Sequence, residues 1–321
     1  MSTVGELHDR YWPIICARVS AGTARGYSTA YRRRVGPTFG EIPIQTVTAL
    51  DVEVAFVSWS GSRSTRIDAI AALSHICKIA IKGRLIAVNP CEGLELPREQ
   101  PSDPAARALN PDEVRLLLRE LPHDGPYRRF VLAMLFTGCR LGEVAGMRVS
   151  DVDMQSRSIL VARTASAGLH GELVVGPTKG RRGRSVPLAD PLVPLVAEAI
   201  AGKGPHDLLF PGPRGGHINS QNLSRALNWR SVRERVKKFP PGEPLLHWHD
   251  LRHTAAVTLF LAGSSAPDVQ AVMGHASLQV TQLYVDTRKE AARRSGPLLS
   301  SYYALLERSI SDGGGAEKSG L

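Results

Sequence analysis

Residues 97–110 read PREQPSDPAARALN, with three prolines and no apolar periodicity, the composition of an exposed interdomain connector. The stretch divides the chain into two parts that read differently. Upstream, helical signals alone appear. One helical segment spans His8 to Val19, and Thr23 is the expected N-cap of a second that reaches Val35 and is ended by GPTFG at 36–40. Thr48-Ala-Leu-Asp51 has the form of a capping box. From Ser64 to Gly83 the residues Ile67, Ile70, Ala71, Ile76, Ile79 and Ala80 recur at helical spacing. Downstream, Asn110 with Pro111 and Glu113 opens a helix, and Tyr127 to Thr137 forms another. Strands are expected over Ser158–Ala162, Gly171–Val175 and Arg184–Leu188, between glycine-rich turns, and helices then return. The expectation is a mainly α chain: a helical domain over 1–96, a linker over 97–109, a mixed α/β domain over 110–312 and a disordered tail over 313–321.

At 321 residues the chain has room for a sizeable core in each part. Its 30 glycines, 22 prolines and 43% hydrophobic residues are those of a globular protein. The longest apolar run, Phe130 to Cys139, is about half of the roughly 18–20 residues that a membrane span needs, and MSTVGELHDR has no apolar signal region. A cytosolic chain with no membrane partner is expected. Four cysteines, Cys16, Cys77, Cys91 and Cys139, form no zinc-type spacing and read as reduced core thiols. The net charge of +10 favours a polyanion as partner. Basic residues concentrate in Lys179, Arg181, Arg182 and Arg184, and again in Arg225, Arg230, Arg233, Arg235, Lys237 and Lys238. Such runs fit a solvated surface as well as a nucleic-acid contact.

Within TGCRLGEV (137–144), Arg140 and Glu143 stand one helical turn apart, as a surface ion pair also would. HWHDLRHT (247–254) places His249, Arg252 and His253 on one helical face. A metal site is disfavoured there, because no carboxylate or third histidine matches and Arg252 would repel a cation. Further on, Gly274-His275 precedes Tyr284 in GHASLQVTQLY.

Taken in order, Arg140, Lys179, His249, Arg252, His275 and Tyr284 resemble the tyrosine recombinase (phage integrase) family. The wording agrees in TGCRLGEV, TKGRRGRSVPL (178–188), HDLRHT, GHASLQVTQLY and IAIKGRLIAVNPCEGLELP (79–97), so the resemblance spans roughly residues 5–308. It implies a site-specific recombinase needing no cofactor or metal. A helical core-type DNA-binding domain and the catalytic domain would close as a C-shaped clamp on double-stranded DNA. Tyr284 would attack a phosphodiester to give a 3′-phosphotyrosine, Arg140 and Arg252 would hold the phosphate oxygens, and Lys179 would protonate the leaving 5′-oxygen. His249 would assist proton transfer or hydrogen-bond the phosphate, and His275 would add a donor. Glu143 and His253 would brace these groups or stand as purely structural residues. Arg181, Arg182, Arg184, Arg225, Arg230, Arg233, Lys237 and Lys238 are expected to contact DNA backbone.

With only residues 1–20 to hold it, no arm-type domain is expected, which would make this the short form of the family. It implies a homotetramer on synapsed core-type attachment sites, exchanging strands through a Holliday junction. The helical stretch 297–310 would dock in trans, or fold back in cis, and a directionality factor is a possible partner. Integration or excision of a phage or other mobile element, in a bacterial cytoplasm at the nucleoid, is the expected setting. Three alternatives stay open: Xer-like dimer resolution, type IB topoisomerase-like relaxation, and a non-catalytic DNA-binding regulator.

Overall fold

The computed structural model describes residues 1–97, 104–168, 172–178, 183–240 and 243–275. In the first part, α1 (Val4–Ala17), α2 (Ala21–Ala30), α3 (Gly36–Phe39), α4 (Ala49–Ser58) and α5 (Arg63–Lys82) surround one core. The longest helix, α5, starts on the Ser62 cap and buries Ala69, Ile70, Leu73, Ile76, Cys77 and Ala80 along a single stripe. Burying each of the larger aliphatic side chains contributes about 1.5–3 kcal/mol. The Thr48/Asp51 and Asn110/Glu113 capping boxes form as expected.

Two expectations need correction here. Ser20, not Thr23, caps α2, with its hydroxyl accepting the Thr23 N–H at 3.2 Å. GPTFG does not end the helix either. The backbone passes through a π turn over Tyr31–Val35, in which the Gly36 N–H reaches back to the Tyr31 carbonyl, and continues as α3 to Phe39. The wider turn accommodates Pro37, which has no N–H to return to the carbonyl four residues earlier.

The second part begins in the connector itself. α6 (Pro104–Arg107) packs against α13 (Asp250–Leu261), and Ala108 and Leu109 are buried, so from residue 104 the expected exposed linker is part of the fold. Then come α7 (Pro111–Glu120), α8 (Pro126–Thr137) and α9 (Leu141–Gly146). The strands β1 (Val152–Asp153), β2 (Ser158–Val161) and β5 (Arg184–Pro187) make one antiparallel sheet in the order β1-β2-β5, and β3 (Arg163–Ala167) pairs with β4 (Leu173–Pro177) in another. β3 was not expected. SILVARTASA changes partner at Ala162, since β2 faces β5 while β3 faces β4. The helices α10 (Val193–Ile200), α11 (Ser220–Ala226), α12 (Trp229–Val236), α13 and α14 (Ala266–Met273) complete the described chain. A second core extends from Leu109 to Leu251, and α13 and α14 share a smaller cluster around Phe260, Val269 and Met273. All four cysteines are free, Cys77 and Cys139 buried, Cys16 and Cys91 half-buried. Among the described residues no helix is long and apolar enough to cross a membrane.

Candidate active site

The site is built where α8 stops. Its last turn ends on Gly138 in the left-handed conformation, φ +66°, and Cys139 and Arg140 then lead into α9. A Cβ on Gly138 would run into Met273 and come within 3.0 Å of the Ala255 Cβ. Backbone strain and crowding together predict that Gly138→Ala lowers stability by about 1–3 kcal/mol, read from a urea unfolding midpoint.

Arg140 stands at the start of α9. Its backbone N–H donates to Glu143 Oε2 at 2.8 Å and its Nη1 to Oε1 at 2.9 Å. The same carboxylate receives Arg184 Nη1 at 3.0 Å and Nη2 at 2.8 Å, from β5. Burial works to raise the Glu143 carboxyl, but the hydrogen bonds and charge of Arg184, with those of Arg140, outweigh it and hold the group at about 2. Of the two arginines, Arg140 is the one turned outward, 36% exposed against 12% for Arg184.

Arg252 rises from α13 and is almost fully buried. Its Nη1 donates to the Gly138 carbonyl at 2.9 Å and its Nη2 to the Met273 carbonyl, so it ties α8 to the end of α14. Burial and the positive charge of Arg140 lower it to about 10, still a cation at neutral pH. His249, just before α13, opens on the cleft, while surrounding protein and the charges of Arg252 and Arg140 push its pKa down. The His253 ring meets it edge to face, centroids 4.9 Å apart. After the left-handed Gly274 that ends α14 comes His275. Burial first, then the charges of Arg252 and Arg140, hold His275 at about 4. Burial and the neighbouring His249 hold His253 at about 4 as well. Near pH 7 both imidazoles are neutral, each with one N–H donor and one acceptor nitrogen.

Of these groups, Arg140, His249 and Arg252 line a cleft of about 700 Å³, together with Thr164, His217 and Trp248 among others, while His253 and His275 stand behind its lining. Outward guanidinium next to buried guanidinium, with neutral imidazoles beside them, suits an anion whose charge spreads over several oxygens, as in a phosphodiester. Among the described residues no three His, Cys, Asp or Glu side chains converge as metal ligands do.

The DNA-contact expectations divide. Arg225, Arg230 and Lys238 are exposed. Arg184 is not available to a phosphate: Glu143 occupies its fork, the Val272 carbonyl accepts its Nε at 2.7 Å, and it crosslinks β5, α9 and α14. Lys237 is nearly buried, donating to the Ala108 carbonyl at 2.6 Å and lying 3.4 Å from Glu113. Arg233 is half-buried, with its Nε shut off from solvent. On and just after α12 the helical period divides the basic run between solvent and protein, whatever its composition, whereas Arg184 is drawn inward from β5 by the buried Glu143. Lys179, Arg181, Arg182, Tyr284 and the stretch 297–310 lie outside the described residues.

Two lining residues carried no sequence signal. His217 Nδ1 lies 2.7 Å from the Ala145 carbonyl, and Trp248 stacks on Trp229 at 3.7 Å with its Nε1 donating to Ser224. Trp248 directly precedes His249 in the HWHDLRHT stretch, whereas only the folding of a distant segment brings His217 to the cleft.

Comparison with known proteins gives a consistent picture. The sequence model of the Phage integrase family matches residues 107–291. The integrase of Mycobacterium phage D29 is 28% identical over 292 residues, covering 87% of this chain and 75% of that protein. Tyrosine recombinase XerC of Xylella fastidiosa (strain M23) is 30% identical over 284 residues, covering 83% of this chain and 87% of that one. Among solved structures, the Tn1549 transposon integrase in complex with transposon right end DNA superposes with a TM-score of 0.72 at 20% identity, over 93% of this chain and all of that one. At that identity the likeness concerns the fold.

Proposed function

The chain belongs to the phage integrase family of tyrosine recombinases, and from that premise we propose how its residues cut and rejoin DNA. The observation that carries the reading is the carboxylate of Glu143, which holds Arg140 beside Arg252 at the mouth of a cleft that His249 also lines. One scissile phosphate seated there meets Arg140 directly and Arg252 through the donors that its contacts to the Gly138 and Met273 carbonyls leave free. Tyr284 Oη attacks its phosphorus, the bond to the 5′-oxygen breaks, and Lys179 supplies the proton that leaves with that oxygen as a hydroxyl. His249 takes up or shares the tyrosine proton, and His275 donates to a phosphate oxygen. The reverse reaction on a new 5′-hydroxyl seals the exchanged strand, so the bond energy is kept without ATP. Arg140 and Arg252 stabilise charge as it grows in the five-coordinate transition state.

On this reading residues 1–96 form a core-type DNA-binding domain, 110–312 the catalytic domain, and duplex DNA lies between them. The exposed Arg225, Arg230 and Lys238, with Arg181 and Arg182, contact phosphates, so affinity falls with salt. Four protomers on two synapsed sites exchange strands through a Holliday junction, with the stretch 297–310 docking on a neighbour in trans and a directionality factor biasing the outcome. The biological task is integration or excision of a mobile element. Xer-like resolution is the second reading, favoured by the likeness to XerC.

The test is to incubate the purified protein with nicked duplex fragments tiling the DNA that flanks its gene. An SDS-resistant adduct holding the 3′-phosphate on protein and freeing a 5′-hydroxyl is expected. Salt-sensitive binding with no adduct on any fragment would instead support a non-catalytic regulator. Relaxation of supercoiled plasmid without synapsis would support topoisomerase-like swivelling.

A further inference from the structure

We infer that Arg107 is a positioning residue for strand cleavage: by gripping Asp250 it sets the first turn of α13, the helix flanked by His249 and carrying Arg252. The inference rests on the recombinase reading above. Arg107 ends α6, in the stretch that the sequence presents as connector. Its Nε and Nη2 donate to the two carboxylate oxygens of Asp250 at 2.9 and 2.7 Å. The other donors reach the carbonyls of Pro244 and Leu245, each at 3.0 Å, and the guanidinium carbon lies 4.3 Å from the centre of the Phe239 ring. One side chain thus holds four acceptors on the segment leading into α13.

Asp250 is 3% exposed, and its Oδ2 also accepts the His247 N–H at 2.7 Å, closing the turn before the helix. Two residues after Arg107, the Leu109 N–H donates to Thr254 Oγ1 at 2.9 Å, and that hydroxyl donates to the Asp250 carbonyl at 2.8 Å. The connector therefore holds the first turn of α13 from two sides. His249 immediately precedes Asp250 and Arg252 follows by two residues, so a rotation of this turn moves both toward or away from the phosphate. Arg107 itself does not line the cleft. Its effect passes through Asp250, and a misplacement near 1 Å is enough to slow an oriented reaction about a hundredfold.

The experiment compares wild type, Arg107→Ala, Arg107→Lys, Asp250→Asn and the Arg107→Ala/Asp250→Asn double variant. It measures single-turnover adduct formation at saturating protein on a nicked duplex that the wild type cleaves, affinity for that duplex, and the thermal unfolding midpoint without DNA. Arg107→Ala is expected to slow cleavage by about a hundredfold while affinity stays within about twofold. Lysine restores the charge but not the fork, so Arg107→Lys should regain the unfolding midpoint while recovering only part of the rate. The double variant should be no slower than the slower single variant, because both act through one contact. A cleavage rate in Arg107→Ala within threefold of wild type overturns the inference, as does a loss confined to affinity or full recovery of rate in Arg107→Lys. Should Arg107→Ala not fold, Arg107→Lys and Asp250→Asn decide on the same criteria. Failure of the wild type to form an adduct on any fragment overturns the recombinase chemistry and this inference with it, whereas wild-type cleavage with unchanged variants overturns the inference alone.

Discussion

Tyr284→Phe protein is expected to form no detectable covalent adduct with DNA that the wild type cleaves, a fall in adduct formation of about 10⁴-fold or more. Phenylalanine keeps the ring and removes only the oxygen that bonds to phosphorus in the proposed mechanism. Binding responds on a different scale, because one lost hydroxyl contact is worth about 0.5–1.5 kcal/mol, which limits the loss of affinity to about tenfold. The separation of these magnitudes is what the measurement reads: SDS-resistant adduct on one gel, retarded complex on another, at matched salt. An adduct that survives the change would move the nucleophile elsewhere, with Tyr302 and Tyr303 the next phenols along the chain. Loss of both adduct and complex would place Tyr284 in folding or binding instead.

Glu143→Ala is the second large effect, and it falls on stability before chemistry. The carboxylate is 2% exposed and receives both prongs of Arg184, itself only 12% exposed. Alanine leaves that guanidinium buried with no counter-charge, a change that costs about 3–5 kcal/mol, a large share of the roughly 5–15 kcal/mol that stabilises a domain. The urea midpoint should drop accordingly. Glu143→Gln keeps the shape and isolates the charge. With a folded pKa of about 2 against an ordinary value of 4.5, Glu143 binds its proton less readily when folded, so it stabilises the protein above pH 4.5. That contribution, about 3 kcal/mol, is lost as pH falls from about 4.5 to about 2. Glu143→Gln should lack this acid-dependent loss. His253 and His275, both lowered to about 4 from 6.5, act in an earlier window: they favour the fold above pH 6.5 and weaken it as pH falls toward 4. A series of urea midpoints from pH 7 to pH 2 separates the two windows. A midpoint in Glu143→Ala equal to wild type at pH 7 would mean that Arg184 finds another partner.

Much of this molecule is written at short range. The Thr48/Asp51 and Asn110/Glu113 caps join side chain and backbone three residues apart, and the apolar stripe of α5 follows from the helical period. Arg140 with Glu143 is joined in the same way at the start of α9, and His249, Arg252 and His253 follow within one turn at the start of α13, so these sets are legible in the sequence. The basic excess likewise pointed to a polyanion through composition alone. The order of the motifs indicated the family, since each is a local string.

Tertiary structure decided what depends on partners far along the chain. Whether Arg184 faces DNA or a carboxylate is settled by Glu143, 41 residues earlier, and whether the connector is free is settled by Asp250, 143 residues after Arg107. The break at Ala162 is set by two different partners, β5 opposite β2 and β4 opposite β3. His217 reaches the cleft by packing of a distant segment. Residue type limits which contacts a side chain can make, and caps, helical faces and charge are therefore fixed within a few residues. Which of the permitted contacts forms depends on the group that the closed chain sets opposite, and for Arg107, Arg184 and Lys237 that group lies 143, 41 and 129 residues away along the chain.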